Sequence, residues 1–127
     1  MKQIIYTPSA PAPIGPYSQA VKAGGMLYIS GQIPIDPKTG NLQMDSIEQE
    51  AEQVMQNLRA ILSEAGLSFS NVVKTTILLT SMGDFGRVNE VYGRYFELNN
   101  APARETYQVS GLPKGVNIEI SMIAVCA

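Results

Sequence analysis

The sequence predicts an α+β domain with elements in the order β-β-β-α-β-α-β-β. Three observations carry this reading. Two segments repeat apolar residues at three- and four-residue steps, as helices with one buried face do. The segments around them alternate or are rich in β-branched residues, as strands are. The last segment, Val116 to Val125, is apolar on both faces, with Ile118, Ile120, Met122 and Ala124 on one and Ile123 and Val125 on the other. Two helices cover one side of a sheet. The other side then needs a partner, and self-association is the economical way to supply it.

Ile4-Ile5-Tyr6 reads as a short first strand, ended by the cluster Pro8, Pro11, Pro13, Gly15 and Pro16. That cluster is too rigid and too short for a linker and is expected to form an ordered loop. Tyr17 to Lys22 extends, Gly24-Gly25 turns the chain, and Met26 to Gln32 returns as a strand. Asp36-Pro37-Lys38-Thr39-Gly40 is a further turn. Ser46 and Gln49 have the spacing of a capping box at the start of the first helix. Its buried stripe is Ile47, Ala51, Val54, Met55, Leu58, Ile61, Leu62 and Ala65, while Glu48, Glu52, Gln56 and Arg59 face water. Gly66 is placed to end it in a left-handed conformation.

Val72 to Thr80 is rich in β-branched residues and reads as a central strand. A second helix starts near Ser81 or Asp84 and carries Phe85, Val88, Tyr92, Tyr95 and Phe96 on one side. Gly86 and Gly93 each cost this helix roughly 1 kcal/mol relative to alanine, so something is expected to pack close to its backbone there. After Pro102 a strand alternates, with Arg104, Thr106 and Gln108 on one face and Glu105, Tyr107 and Val109 on the other. Gly111 to Gly115 is a loop before the last strand.

Composition removes several function classes. The 127 residues suffice for one domain with a genuine core, and 45% apolar with 16% charged residues is ordinary globular composition. A net charge of −2 gives no basic face for phosphate backbones, so nucleic-acid binding is not expected. No apolar run approaches bilayer length, and the N-terminus carries one charge and then Pro8, unlike a signal peptide; a cytosolic protein is expected. The chain has no histidine and one cysteine, Cys126. Chemistry must therefore run without imidazole, and neither zinc-type ligand spacing nor a phosphate-cradling glycine loop is present. No metal or cofactor is expected.

Arg104 is the residue this inventory points to. A guanidinium fixed on a strand is a two-pronged donor for a planar carboxylate. The alternative is a cross-sheet ion pair with Glu119, which sits between Ile118 and Ile120 on the last strand. Tyr17 places an aromatic hydroxyl just after the rigid loop, and Ser30-Gly31 ends a strand where backbone can approach a ligand closely. Asn89 lies in the second helix.

Nearly the whole chain resembles the RidA (YjgF) family. The resemblance is carried by Ala12-Pro13-Ile14-Gly15-Pro16-Tyr17-Ser18-Gln19-Ala20, by Ser30-Gly31-Gln32-Ile33-Pro34, and by Val88-Asn89-Glu90-Val91-Tyr92. Pro102-Ala103-Arg104 and Leu112-Pro113-Lys114-Gly115-Val116-Asn117-Ile118-Glu119-Ile120 complete it, in the right order. It implies one RidA-like domain over residues 1–127, with a chorismate-mutase-like α+β fold: a mixed sheet with two helices on one face, assembled as a homotrimer with clefts between subunits. It also implies hydrolysis of 2-imino and 2-enamino acids, such as 2-aminoacrylate from pyridoxal-phosphate dehydratases, to 2-keto acids and ammonia. In that picture Arg104 grips the substrate carboxylate and Tyr17 closes over the bound molecule. Ser30, Gly31 and Asn89 line the pocket, Glu119 positions water, and the backbone around Thr106 polarises the imine or the water.

Where many members of that family read Arg-Ser-Cys or Arg-Ser-Ala, this chain has Arg104-Glu105-Thr106, which bears on substrate range more than on reaction type. A non-catalytic trimer that binds small carboxylates is the rival reading. RNA cleavage, attached to some relatives, is disfavoured by the acidic composition.

Overall fold

The computed structural model describes residues 1–126. Six strands and two helices follow one another in the expected order: β1 (Gln3–Ile5), β2 (Ala20–Ala23), β3 (Met26–Gln32), α1 (Ile47–Glu64), β4 (Val72–Leu79), α2 (Phe85–Gly93), β5 (Ala103–Gln108) and β6 (Ile118–Val125). They form one mixed sheet in the spatial order β1-β2-β3-β6-β4-β5. β1, β2 and β3 make an antiparallel meander whose β2–β3 turn uses Gly24 and Gly25 at φ 59 and 78. β6 inserts between β3 and β4, antiparallel to both. β5 lies parallel to β4 at the sheet edge, reached through the α2 crossover.

Both helices lie on one face. The fully buried stripe of α1 (Val54, Met55, Leu58, Ile61 and Leu62) packs over Leu27 of β3, Ile77 and Leu79 of β4, and Ile118 and Ile120 of β6. Along β6, and along β4 from Thr75 to Leu79, burial alternates residue by residue, as it must when helices cover one face alone. The opposite face keeps apolar residues part-exposed, with Ile4 at 52%, Tyr28 at 48% and Tyr107 at 53% of full accessibility. The uncovered second face read from the last strand is thus a property of the folded chain.

Several local expectations need correction. Ser46 Oγ accepts the Gln49 N–H at 3.1 Å, but only this half of the capping box forms. Gly66 does end α1, at φ 76, and the Leu67 N–H closes back on the Leu62 carbonyl at 2.8 Å. β2 begins at Ala20 rather than Tyr17, because Gln19 is committed to the loop before it. β6 begins at Ile118 rather than Val116, because Asn117 is clamped by other partners. α2 is a nine-residue helix led by a 3-10 turn, and Tyr95 and Phe96 pack beyond its end. Gly86 and Gly93 meet nothing: a Cβ at either has no atom within 4 Å, so close packing does not explain these glycines.

Two buried polar side chains hold the loops that flank the sheet. Gln19, 2% exposed, donates from Nε2 to the carbonyls of Thr7, Ala10 and Pro11 and accepts the Thr7 N–H at 2.7 Å. That accounts for a fixed proline-rich loop without secondary structure. Glu50, 1% exposed in the first turn of α1, accepts both the backbone N–H (2.9 Å) and the Nδ2 (2.6 Å) of Asn117. Asn117 in turn accepts from the Thr80 hydroxyl at 3.1 Å, tying the end of β4 to the start of β6.

Candidate functional site

Arg104 and Glu119 do not pair. β4 runs between their strands: Arg104 is in register with Thr75, and Glu119 with Leu78. Thr75 is fully buried beneath the helices, whereas Leu78 belongs to the alternate, part-exposed set on the uncovered face. The two residues therefore lie on opposite faces of the sheet. The cross-sheet ion pair is excluded, and so is a site built from all the candidate residues of one chain.

On the helix side, the Arg104 guanidinium is fixed by three contacts. Nη1 donates to Asn89 Oδ1 at 2.6 Å, and Cζ stands 5.1 Å from the Tyr92 ring centroid and 5.5 Å from that of Phe85. Cation–aromatic contacts of this kind orient the planar head. Among the described residues no carboxylate reaches ion-pair distance of it. Its charge is thus held in place without a direct ion-pair partner beside a cavity of about 390 Å³ lined by Asn89, Tyr92, Phe96, Glu97, Leu98, Pro102 and Arg104. Thr106, on the same face, has a buried hydroxyl with no hydrogen-bond partner. Nothing on this face uses that oxygen, which leaves the backbone as Thr106's possible contribution.

On the uncovered side, Tyr17, Ser30, Gly31 and Glu119 line a second cavity of about 370 Å³ with Ile14, Ile33 and Pro113. Gly31 sits at the irregularity between Ile29 and Gln32 in the β3–β6 ladder, and the Glu119 side chain lies across it. A Cβ at Gly31 would stand 2.1 Å from Glu119 Oε2, so only glycine admits this carboxylate. Burial pushes the Glu119 carboxyl above its ordinary value. Ser30 is occupied structurally, its hydroxyl donating to the Ser18 carbonyl at 2.6 Å. Tyr17 is half exposed and projects from the loop that Gln19 anchors.

The sequence reading placed these residues around one bound molecule, and it passed over Phe85 and Tyr92 as supports for Arg104; the fold divides the candidates between two cavities on opposite faces. The seven-residue spacing that places both rings on one helical face was the available signal. Glu105, the departure beside Arg104, turns to the uncovered face and pairs with Lys74 at 3.4 Å and the Thr76 hydroxyl at 3.2 Å, away from the guanidinium. A cleft of about 510 Å³ between α1 and the Asp36–Lys38 turn contains none of the candidate residues. Among the described residues no cluster of metal-ligating side chains occurs, and no helix is long and apolar enough to cross a membrane.

The chain matches known proteins over nearly its full length. The sequence pattern of the family described as Endoribonuclease L-PSP covers residues 7–126. The 2-iminobutanoate/2-iminopropanoate deaminase of Mus musculus is 51% identical over 125 residues, which is 98% of this chain and 92% of that protein. A Rid-family protein of Yersinia pestis superposes with a TM-score of 0.95 at 47% identity, over 98% of this chain and 99% of the other. The structure of E. coli TdcF with bound serine superposes with a TM-score of 0.92 at 42% identity, over 98% and 99%. By sequence and by fold, the chain belongs to the Endoribonuclease L-PSP family, the RidA (YjgF) family of its Tyr17, Ser30 and Arg104 motifs.

Proposed function

We propose that this protein hydrolyses 2-iminobutanoate, 2-iminopropanoate and their enamine tautomers, such as 2-aminoacrylate, to 2-keto acids and ammonia, without a cofactor. The carrying observation is Arg104: a guanidinium oriented by Asn89 and two rings, with no carboxylate of its own, beside an open cavity. The name of the 51% identical mouse relative supports the same reading.

The working site is assembled from two copies of the chain in a homotrimer. The Arg104–Asn89 cavity of one subunit faces the Tyr17–Ser30–Gly31–Glu119 cavity of the next. Two things support this: the half-sites occupy opposite faces of one sheet, and the second of these faces leaves apolar surface uncovered.

In this arrangement Arg104 takes the substrate carboxylate, and Tyr17 and the apolar Ile14 and Ile33 enclose the short side chain. Glu119 holds a water against the imine carbon. Water adds to the carbon–nitrogen double bond, and its proton passes to nitrogen. The resulting carbinolamine expels ammonia as the carbon–oxygen double bond forms. The demand is modest, because imines hydrolyse unaided. An acceleration of about 10²–10⁴ needs roughly 3–5 kcal/mol, within reach of positioning and one carboxylate.

The test is a coupled assay. Added to a pyridoxal-phosphate dehydratase that makes 2-aminoacrylate, the protein should speed release of keto acid and ammonia. Arg104→Ala should abolish the effect, and Arg104→Lys should restore little, because a point charge cannot make the paired contact. Failure to accelerate any of several enamine acids, with binding of a keto acid retained, would establish the non-catalytic binder instead. Native mass measurement tests the trimer, and a stable monomer would undo the shared cleft.

A further inference from the structure

Resting on the reading that Arg104 takes the substrate carboxylate, we infer that Thr75 and Tyr92 form a buried brace that sets the position of its guanidinium. Arg104 stands on the edge strand and reaches the cavity through a long, unbranched side chain with many accessible rotamers. An arginine used to orient a small acid must have that freedom removed. Asn89 alone cannot do so, because it holds a single nitrogen and is itself exposed.

The remaining restraint comes from beneath. Tyr92 is 5% exposed, and its hydroxyl donates to Thr75 Oγ1 at 2.9 Å. Thr75 is fully buried and is the residue in register with Arg104 across the β4–β5 pair. The strand that carries the arginine and the ring that supports its head are therefore fastened to one point. Phe96 packs against Tyr92 at an inclination of 37° with centroids 4.8 Å apart, and so limits the movement of that ring. The Tyr92 hydroxyl is spent on Thr75, so the residue positions Arg104 and does not itself do chemistry on the substrate.

The brace separates activity from stability. Tyr92→Phe strands a buried Thr75 hydroxyl, and Thr75→Val strands the Tyr92 hydroxyl, so each single change lowers the melting temperature. Tyr92→Phe/Thr75→Val replaces both partners by apolar groups of nearly the same shape and should melt close to the wild type. A merely structural pair would regain full turnover along with stability. A brace would not: we expect the double variant to stay about 10-fold below wild type in kcat/KM, mostly through KM. It should also bind 2-oxobutanoate more weakly by a similar factor. In an Arg104→Lys background the same double change should cost nothing further.

A double variant with wild-type kcat/KM and wild-type 2-oxobutanoate affinity, alongside an inactive Arg104→Ala, overturns the brace and leaves the site reading intact. An Arg104→Ala variant as active as wild type overturns the site reading itself.

Discussion

Replacing Gly31 with alanine puts a methyl carbon where the Glu119 side chain now lies. That carbon would stand 2.1 Å from Oε2, 2.7 Å from Cδ and 2.9 Å from Cγ, whereas ordinary contact begins at 3.4 Å. The clash falls on the far end of a flexible side chain, so Glu119 relieves it by turning, and its carboxylate moves by at least ~1 Å. The stability cost is correspondingly small. Overpacking of about 1 kcal/mol is partly offset by the reduced freedom of the unfolded chain, leaving a melting shift under ~5 °C. The catalytic cost is large, because a misplacement of ~1 Å costs on the order of 10²-fold in rate, or about 2.7 kcal/mol. In the dehydratase-coupled assay Gly31→Ala should fold, assemble and bind 2-oxobutanoate, yet lose about 99% of its acceleration. Adding Glu119→Ala to it should cost little more, since both changes remove the same positioned carboxylate. A Gly31→Ala protein with wild-type turnover would refute the assignment of Glu119 to the water.

Three further outcomes follow from the same structure. Thr106→Val should leave stability unchanged or raise it by up to ~1 kcal/mol, because its buried hydroxyl has no partner to lose; thermal melts decide this, and retained activity would confine Thr106's role to its backbone. Glu50→Ala leaves the Asn117 donors unpaired inside the fold and should cost about 2–3 kcal/mol in urea unfolding. Glu119 has a folded-state pKa raised by burial, so the folded protein holds its proton more tightly than the unfolded chain does. Stability should therefore fall as pH rises from the ordinary carboxylate range through the raised value, and Glu119→Gln should remove that slope in unfolding titrations.

The sequence carried the elements better than their arrangement. Periodicity placed α1, and Gly66 ended it where a left-handed residue was needed. The doubly apolar β6 announced the second, helix-free face, where its alternate residues are apolar yet only part-buried in the folded chain. Strand order was not legible. β5 and β6 are separated by one loop in sequence yet by β4 in space, and register depends on contacts far apart in the chain. For that reason Arg104 and Glu119, each recognisable from its motif, were readable as an ion pair and are in fact on opposite faces. Glu50 offered a signal that the pattern reading passed over. It interrupts the apolar stripe between Ile47 and Val54, and a carboxylate at such a position is there for a buried donor.

The division of the candidate residues between the two sides of one sheet reaches beyond geometry. Under the proposed ring of three, each polypeptide lends its guanidinium to one neighbour and its carboxylate to the other. No chain owns a complete catalytic unit. Two differently crippled alleles, one lacking Arg104 and one lacking Glu119, would then complement when co-expressed, because some junctions in a mixed ring receive an intact half from each parent. Equally, a subunit lacking only one of the two groups spoils a single junction and its damage matches its share of the protein, whereas a subunit lacking both spoils the two junctions it shares with healthy neighbours.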